Sequence, residues 1–254
     1  MNLFSQVVAW FSDPEHWSGE TGVPNRLFEH LQFTIIAVLI AVVIAVPIGA
    51  IVGHTGRGGV AVVGAANGLR ALPELGVLVL IVYLAGVGQV PVIVALVLLA
   101  IPPLLAGTYA GVRNVDRSVV DAARGMGMRE SQILFKVELP NSLPLIIGGL
   151  RTATLQVIAT AAIAALVSEG GLGRYLIDGL GIRDYPQMAA GAVLVAALAL
   201  VVEALLAGVQ RLVVSPGLRT PSTRAARERR SEAHPEDPPA LPEGADRVPE
   251  MARS

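Results

Sequence analysis

The residues that ordinarily carry chemistry are few in this sequence, and their spacing excludes several kinds of active site. Lys136 is the only lysine and follows Phe135, so the chain has no Gly-Lys-Ser/Thr element of a nucleotide-binding P-loop. It has no cysteine, which excludes disulfides, thiolate metal ligands and a cysteine nucleophile. Its four histidines are scattered and form no HExxH pattern. We therefore predict no catalytic residue, no metal site and no cofactor in this chain.

Arg70 and Glu74 are ionisable residues inside a strongly apolar stretch, where such residues are costly and usually serve a function. They flank Pro73, so one can neutralise the other beside backbone groups that the proline frees. Two interpretations stay open. Either the two residues belong to a broken helix that lines a translocation path, or they form a structural ion pair at a helix–helix contact.

Thr152, Gln156 and Thr160 recur every four residues and form one polar stripe on a predicted helix. The stripe either lines a pore or makes hydrogen bonds across an interface between two membrane subunits. Arg151 lies near one end of the same apolar stretch, so its long side chain is expected to reach the membrane surface. Glu203, near the corresponding end of the last apolar stretch, is its candidate partner.

Composition places these residues in a membrane protein. The chain is 53% hydrophobic and 15% charged, whereas a soluble domain is about 25% charged. A helix that crosses a bilayer needs about 20 mostly apolar residues. We predict an all-α integral membrane protein with about five transmembrane helices, and the spans are residues 33–52, 59–85, 91–109, 143–167 and 188–209.

Basic residues orient these spans. They are concentrated in the loop at residues 111–142 and after the fifth span, whereas the other side carries only Arg26, Arg174 and Arg183. By the positive-inside rule, the N-terminus lies outside and the C-terminus is cytoplasmic. We therefore expect a multi-pass protein of the plasma (inner) membrane.

Domain organisation follows from these spans. Residues 1–30 are predicted to be an external segment, and residues 31–214 to form the transmembrane domain. Residues 215–254 are rich in proline and charge, which predicts a disordered cytoplasmic tail. The alternative for the tail is a lipid-binding basic patch around residues 224–230.

The cytoplasmic loop at residues 111–142 is predicted to contain two short helices separated by Gly127, which readily adopts a positive φ. Pro140 is expected to end this unit. Apolar residues share one face of each helix, and these residues are Val119, Ala122, Ala123 and Met126, then Ile133, Leu134 and Val137. Such a unit either docks into a groove of another protein or rests on the bilayer as a connector.

The spacing within this loop resembles the EAA loop of permease subunits in binding-protein-dependent ABC importers. The matching residues are Asp121, Ala122, Ala123, Gly127, Val137, Leu139 and Pro140. Asp121 and Val137 depart from the family, which usually has Glu at the first position and often Ile at the second. The resemblance implies that these residues dock a separate ATPase subunit and transmit closure of its nucleotide sites to the membrane helices.

Shorter blocks resemble the osmoprotectant branch of this family, which imports glycine betaine, choline or carnitine. They are residues 13–19, 26–31, 53–58, 70–73, 86–88, 111–116, 125–128 and 169–173. Aromatic residues are few and dispersed, whereas a tight site for a quaternary ammonium group needs several converging aromatic faces. We therefore expect recognition of the cargo to reside in a separate solute-binding protein.

The resemblance implies four partners: an ABC ATPase, a second permease (identical or homologous), an extracytoplasmic solute-binding protein and the lipid bilayer. No nucleic-acid partner is expected. The loop at residues 168–186, with a short helix near Arg174 to Asp178, is a candidate outer gate or binding-protein contact. Alternatives are another cargo, such as ergothioneine or methionine, and a membrane-embedded enzyme. The predicted spans lack the cluster of catalytic side chains that an enzyme needs, and they lack the filter loop or charged ring of an ion channel.

Overall fold

A computed structural model of the protein describes residues 2–167 and 170–214. All of them belong to the first of two compact units, at residues 1–218. The regular elements of the described residues are all helical. The tail predicted at residues 215–254 lies outside the described residues, as do Ser168 and Glu169.

Four helical segments are long and apolar enough to cross a membrane. The helices are α1 (Leu3–Ser12), α2 (Val23–Thr55), α3 (Gly59–Ala71), α4 (Glu74–Ala85), α5 (Gln89–Arg113), α6 (Arg117–Gly125), α7 (Glu130–Ile133), α8 (Leu139–Ala164), α9 (Gly173–Ile182) and α10 (Tyr185–Val213). The four spanning segments are α2, α5, the continuous stretch at residues 130–164, and α10. The pair α3 and α4 counts as a fifth span if it is taken together, with a bend of 88° at its break. This agrees with the expected all-α membrane fold.

Close contacts between small residues hold α2, α5 and α8 together. A Cβ atom built on Gly49 of α2 would lie 2.8 Å from Cβ of Thr108 in α5. One on Gly149 of α8 would lie 2.7 Å from the carbonyl oxygen of Pro103 in α5. Helices in a membrane gain much of their association energy from such close approach, because lipid already solvates their apolar surfaces. The core beside these contacts consists of residues such as Ala37, Ala41, Leu96, Leu104, Ala153 and Val157.

From the sequence we expected Pro140 to end the helical unit of the loop. In the structure the helix instead continues past Pro140. The one-turn helix α7 continues through a π-helical segment (Leu134–Glu138) directly into α8. The Leu139 N–H bonds to the carbonyl of Leu134, five residues earlier. Pro140 lies in the first turn of α8, and the wider π turn before it relieves the crowding that a proline ring imposes on a continuous helix.

At the opposite end of the bundle, α1 packs against α10, as does α9. Trp10 is buried there and lies edge-on to Tyr175, with ring centroids 5.3 Å apart. The Tyr175 hydroxyl donates a 2.6 Å hydrogen bond to the Thr21 carbonyl, and its burial raises its pKa. The helix α9 includes the short helix expected near Arg174 to Asp178. The N-terminal segment is therefore folded onto the membrane helices.

Candidate functional site

The loop at residues 111–142 contains α6, whose two ends are both closed by local hydrogen bonds. Asp116 caps the start by accepting a 2.9 Å bond from the Ser118 N–H, and this bond lowers the pKa of Asp116. At the other end Gly127 has a φ of 81°. The Met128 N–H bonds to the Ala123 carbonyl at 3.2 Å, and the Gly127 N–H bonds to the Arg124 carbonyl at 3.0 Å. This pair of bonds is a Schellman motif, which needs a residue that tolerates positive φ.

The loop has a small core of its own. Val120, Ala123 and Ile133 are buried against one another, with Val115, Met128 and Val137 packed around them. The face that we assigned to α6 is therefore wrong for Ala123, which points inward while Val119, Ala122 and Met126 are exposed. On a helix Ala123 is about 40° from Val119 and about 60° from Val120, so periodicity alone does not choose between them. The contact with Ile133 places Ala123 with Val120 on the buried side of α6.

An apolar surface without a partner in the described residues remains on this loop. Met126 is 77% exposed, Phe135 66% and Val119 45%. Asp121, on α6, accepts a 3.1 Å bond from Arg124, which also donates to Glu130 at 2.9 Å. Leu139 and Pro140 lie in the first turn of α8, so the seven residues of the motif belong to one continuous structural unit.

His54 and Glu138 form a contact between this loop and the end of α2 that we did not expect from the sequence. The Nδ1 atom of His54 lies 2.5 Å from Oε2 of Glu138, and Nε2 lies 3.4 Å from Oε2 of Glu130. The side chain of Glu138 is only 3% exposed. The one signal in the sequence was a glutamate flanked by the apolar residues Val137 and Leu139.

Glu74 is the first residue of α4, immediately after the break in the second span. Its Oε1 accepts a 2.9 Å hydrogen bond from Nε2 of Gln156, and its Oε2 accepts a 2.9 Å bond from Oγ1 of Thr160. The structure thus brings together three of the five residues predicted for the translocation path. Thr160 is buried, whereas Gln156 and Glu74 are half-buried.

The ion pair that we considered between Arg70 and Glu74 is absent from the described residues. Arg70 is exposed near the end of α3, and the 88° bend between α3 and α4 separates its direction from that of Glu74. Residues four apart face each other only within one continuous helix. Thr152 also stands apart from this group, since it is exposed and donates to the Gly148 carbonyl of its own helix at 3.1 Å.

Arg151 forms an ion pair with Glu203, the partner that we proposed for it from the sequence. Its Nε atom donates to Oε2 of Glu203 at 3.2 Å, its Nη2 pairs with Oε1, and its Nη1 donates to Gln210 at 2.5 Å. The guanidinium group therefore joins α8 to α10.

A polar cavity of about 700 Å³ lies at the end of α2 farthest from the loop. Glu29 lines it and accepts a 2.8 Å bond from the Gly171 N–H and a 3.0 Å bond from Arg26. Val87, Gly88 and Gln89 line another side. In the described residues no group of three or more His, Asp or Glu side chains is placed to hold a metal ion.

A family model described as the binding-protein-dependent transport system inner membrane component matches residues 41–220. The chain belongs to this family. The permease is accordingly a multi-pass inner-membrane component of a transport system that depends on a binding protein. Membership favours transport over the membrane-embedded enzyme and the ion channel considered above.

Curated relatives of the permease are similar over most of their length. It is 35% identical over 194 residues to the choline transport system permease protein OpuBB of Bacillus subtilis (strain 168), covering 76% of this chain and 89% of that protein. It is 36% identical over 191 residues to the glycine betaine/carnitine/choline transport system permease protein OpuCB of the same strain, covering 75% and 88%. It is 35% identical over 197 residues to the carnitine transport permease protein OpuCB of Listeria monocytogenes, covering 78% and 88%.

Solved structures share the fold of the permease. An inward-facing form of the MetNI methionine ABC transporter matches with a TM-score of 0.68 and 22% identity, covering 76% of this chain and 96% of that one. An amino acid ABC transporter with histidines matches with a TM-score of 0.59 and 18% identity, covering 84% and 97%. At these identities the likeness supports the arrangement of the helices and carries no argument about cargo.

Proposed function

We propose that this chain is the membrane-spanning permease subunit of an ABC importer that moves a small quaternary ammonium osmoprotectant across the plasma membrane. Glycine betaine, choline and carnitine are the cargoes proposed. The observation that carries the proposal is the 35–36% identity to three permeases whose names specify choline, carnitine or glycine betaine transport. The chain itself breaks no bond and binds no cofactor, and a separate ATPase supplies the energy.

The loop at residues 111–142, which we call the coupling loop, is the proposed contact with that ATPase. Its exposed apolar side chains, Met126, Phe135 and Val119, suit a groove on a partner protein. Asp121, Ala122, Ala123, Gly127, Val137, Leu139 and Pro140 are the residues to which we assign docking and coupling. The buried ones among them support the loop, and the exposed ones touch the partner. With this loop and the C-terminus in the cytoplasm, the N-terminus and the cavity beside Glu29 face the solute-binding protein outside.

The break between α3 and α4 is the proposed translocation path, which a second permease subunit, identical or homologous, completes. Glu74, Gln156 and Thr160 form its polar centre, with Arg70 and Thr152 at its margins. A trimethylammonium group has no N–H to donate, so a carboxylate attracts it through charge alone. Gln156 and Thr160 already donate hydrogen bonds to Glu74, and these bonds weaken the attraction between the Glu74 carboxylate and the cargo. A weakly bound cargo is released readily.

Uptake of radiolabelled compounds into proteoliposomes tests the cargo. The vesicles hold the full complex of permease, ATPase and binding protein, and they receive betaine, choline, carnitine, methionine or ergothioneine. We expect ATP-dependent uptake of at least one of the first three, and none when a non-hydrolysable nucleotide replaces ATP. Uptake of methionine or ergothioneine without betaine, choline or carnitine would overturn the cargo and leave the transport function standing.

A further inference from the structure

The contact of His54 with two glutamates joins α2 to the coupling loop. The loop is continuous in sequence with α5 before it and with α8 after it, so these two helices follow any movement of the loop through the backbone. The helix α2 has no such direct backbone connection, since its last residue lies 58 positions before the last residue of α5 (113 minus 55). His54 lies in the last turn of α2 and reaches Glu138 in the π-helical segment and Glu130 in α7.

The chemistry of this contact defines which atoms donate. A carboxylate only accepts hydrogen bonds, so with Glu138 as a carboxylate the 2.5 Å bond is one in which Nδ1 of His54 donates. The His54 and Glu138 side chains are 13% and 3% exposed, so little solvent screens their interaction. Leaving a buried carboxylate without its donor is more costly than losing an exposed bond.

Other charges around His54 belong to the same unit. Arg124 of α6 bonds to Glu130 and, at 3.1 Å, to Asp121. Arg113, the last residue of α5, lies close enough to α2 that a Cβ on Gly56 would be 3.0 Å from its Nη1 atom. The contact therefore lies where α2, α5, α6 and α7 meet, and it includes two residues of the loop proposed to dock the ATPase, Glu130 and Glu138.

We infer that His54 is a positioning residue that makes α2 move with the coupling loop as one rigid body. The inference rests on the proposed coupling role of the loop. Its consequence reaches the far end of the molecule, because α2 also carries Glu29, which holds the Gly171 N–H at 2.8 Å. Glu29 and His54 are 25 positions apart (54 minus 29) within the single helix α2, which corresponds to about 38 Å at about 1.5 Å per residue. Movement of the loop is thereby passed along α2 to the segment beside the opposite cavity.

Spin labels measure this rigidity directly, since the chain has no native cysteine. Cysteines replace Ile51 on α2 and Ser131 on α7, both of which are exposed. The distance between the labels is recorded in lipid nanodiscs, for the chain alone and for the complex without nucleotide and with trapped ATP. We expect one narrow distance that stays the same in all states. A shift beyond the about 1–2 Å typical of helices sliding at an interface would overturn the inference.

Three substitutions in the labelled chain separate positioning from folding. His54→Asn keeps a donor near the position of Nδ1 and should preserve the narrow distance. His54→Leu and Glu138→Gln remove the donor or the charge, so both should broaden the distance. The matched control is Thr55→Val, because within the described residues the Thr55 hydroxyl bonds only to the backbone of Ile51 and Arg57. If His54→Leu fails to insert into the membrane, the label distance of Glu138→Gln is compared with that of the control.

Cargo imported per ATP hydrolysed is the second measurement. His54→Leu and Glu138→Gln should lower this ratio within the range of about 5- to 150-fold that coupling between sites usually spans, while ATPase assembly is retained. A purely structural role would lower assembly, ATPase rate and import together and leave the ratio unchanged, which would overturn the inference. If the unsubstituted complex imports none of the proposed cargoes, the proposed function fails, and the label distances still decide the role of His54.

Discussion

Gly127 is the position in the coupling loop where backbone conformation alone restricts the residue type. Its φ of 81° lies in the left-handed region, and no atom would lie within 4 Å of an added Cβ. The residue type at this position is therefore restricted by the backbone conformation and not by contact with neighbouring atoms. A side chain in this region costs about 1–2 kcal/mol, and a β-branched one more.

Gly127→Val should leave membrane insertion intact, abolish uptake and weaken co-purification of the ATPase, because the angle between α6 and α7 changes. Gly125→Ala is the control, since Gly125 lies in α6 with nothing within 4 Å of an added Cβ. That substitution should leave both measurements unchanged. Normal uptake and co-purification by Gly127→Val would remove support for the docking role of the turn.

Glu74→Gln tests the polar centre of the proposed path. The substitution keeps the size of the side chain and removes the charge that Gln156 and Thr160 hold in place. Hydrogen bonds to a charged group contribute about 1.5–3 kcal/mol, so we expect uptake to fall at least about tenfold, where each 1.36 kcal/mol is a factor of ten.

Thr154→Val is the matched control for Glu74→Gln, because Thr154 lies on the same helix as Gln156 and Thr160 and its hydroxyl donates to the Leu150 carbonyl of that helix at 2.8 Å. Uptake by this variant should stay near that of the unsubstituted permease, and the ATPase should co-purify with both variants. Equal uptake by Glu74→Gln and Thr154→Val would place the path elsewhere.

At the scale of the elements, the contact between α5 and α8 depends on paired glycines. An added Cβ on Gly107 would lie 2.8 Å from the Leu145 carbonyl oxygen, and one on Gly149 would lie 2.7 Å from that of Pro103. Both obstacles are backbone atoms, so relief requires the helices to separate. Gly148, one residue earlier on α8, has no atom within 4 Å of an added Cβ.

Gly149→Ala should therefore destabilise the permease by about 1–3 kcal/mol, the usual cost of overpacking. Gly148→Ala should be neutral or slightly stabilising, because alanine favours a helix more than glycine does. Thermal unfolding of the two purified variants in the same detergent measures the difference. Equal melting temperatures would show that α5 and α8 adjust without loss.

At the scale of the whole molecule, two exposed positions report its orientation. Asn114 lies just after α5, and Gly181 lies in the last turn of α9 with open space around an added Cβ. With the N-terminus outside, a cysteine at Gly181 should label in intact cells with a membrane-impermeant thiol reagent. A cysteine at Asn114 should label only after the membrane is opened. Labelling of both positions in intact cells would contradict the topology.

Hydropathy and local turn chemistry determined much of this protein from its sequence. Apolar stretches of sufficient length must satisfy their backbone groups internally, so helices are the available solution for such a chain. The turn at Gly127 was likewise predictable, because its two hydrogen bonds join residues at most five positions apart. Of the five polar residues predicted for a translocation path, the structure brings together Glu74, Gln156 and Thr160.

Only the tertiary structure decided the partners of the polar side chains. Glu74 bonds to residues 82 and 86 positions away rather than to Arg70, and His54 meets a glutamate 84 positions away. Helical periodicity relates residues three or four apart and says nothing about which face of a distant helix arrives beside them. Three features determine which side chains meet in this protein. They are the bend after α3, the close packing of α5 with α8, and the π turn before Pro140. Each depends on how whole helices pack, which no local pattern in the chain contains.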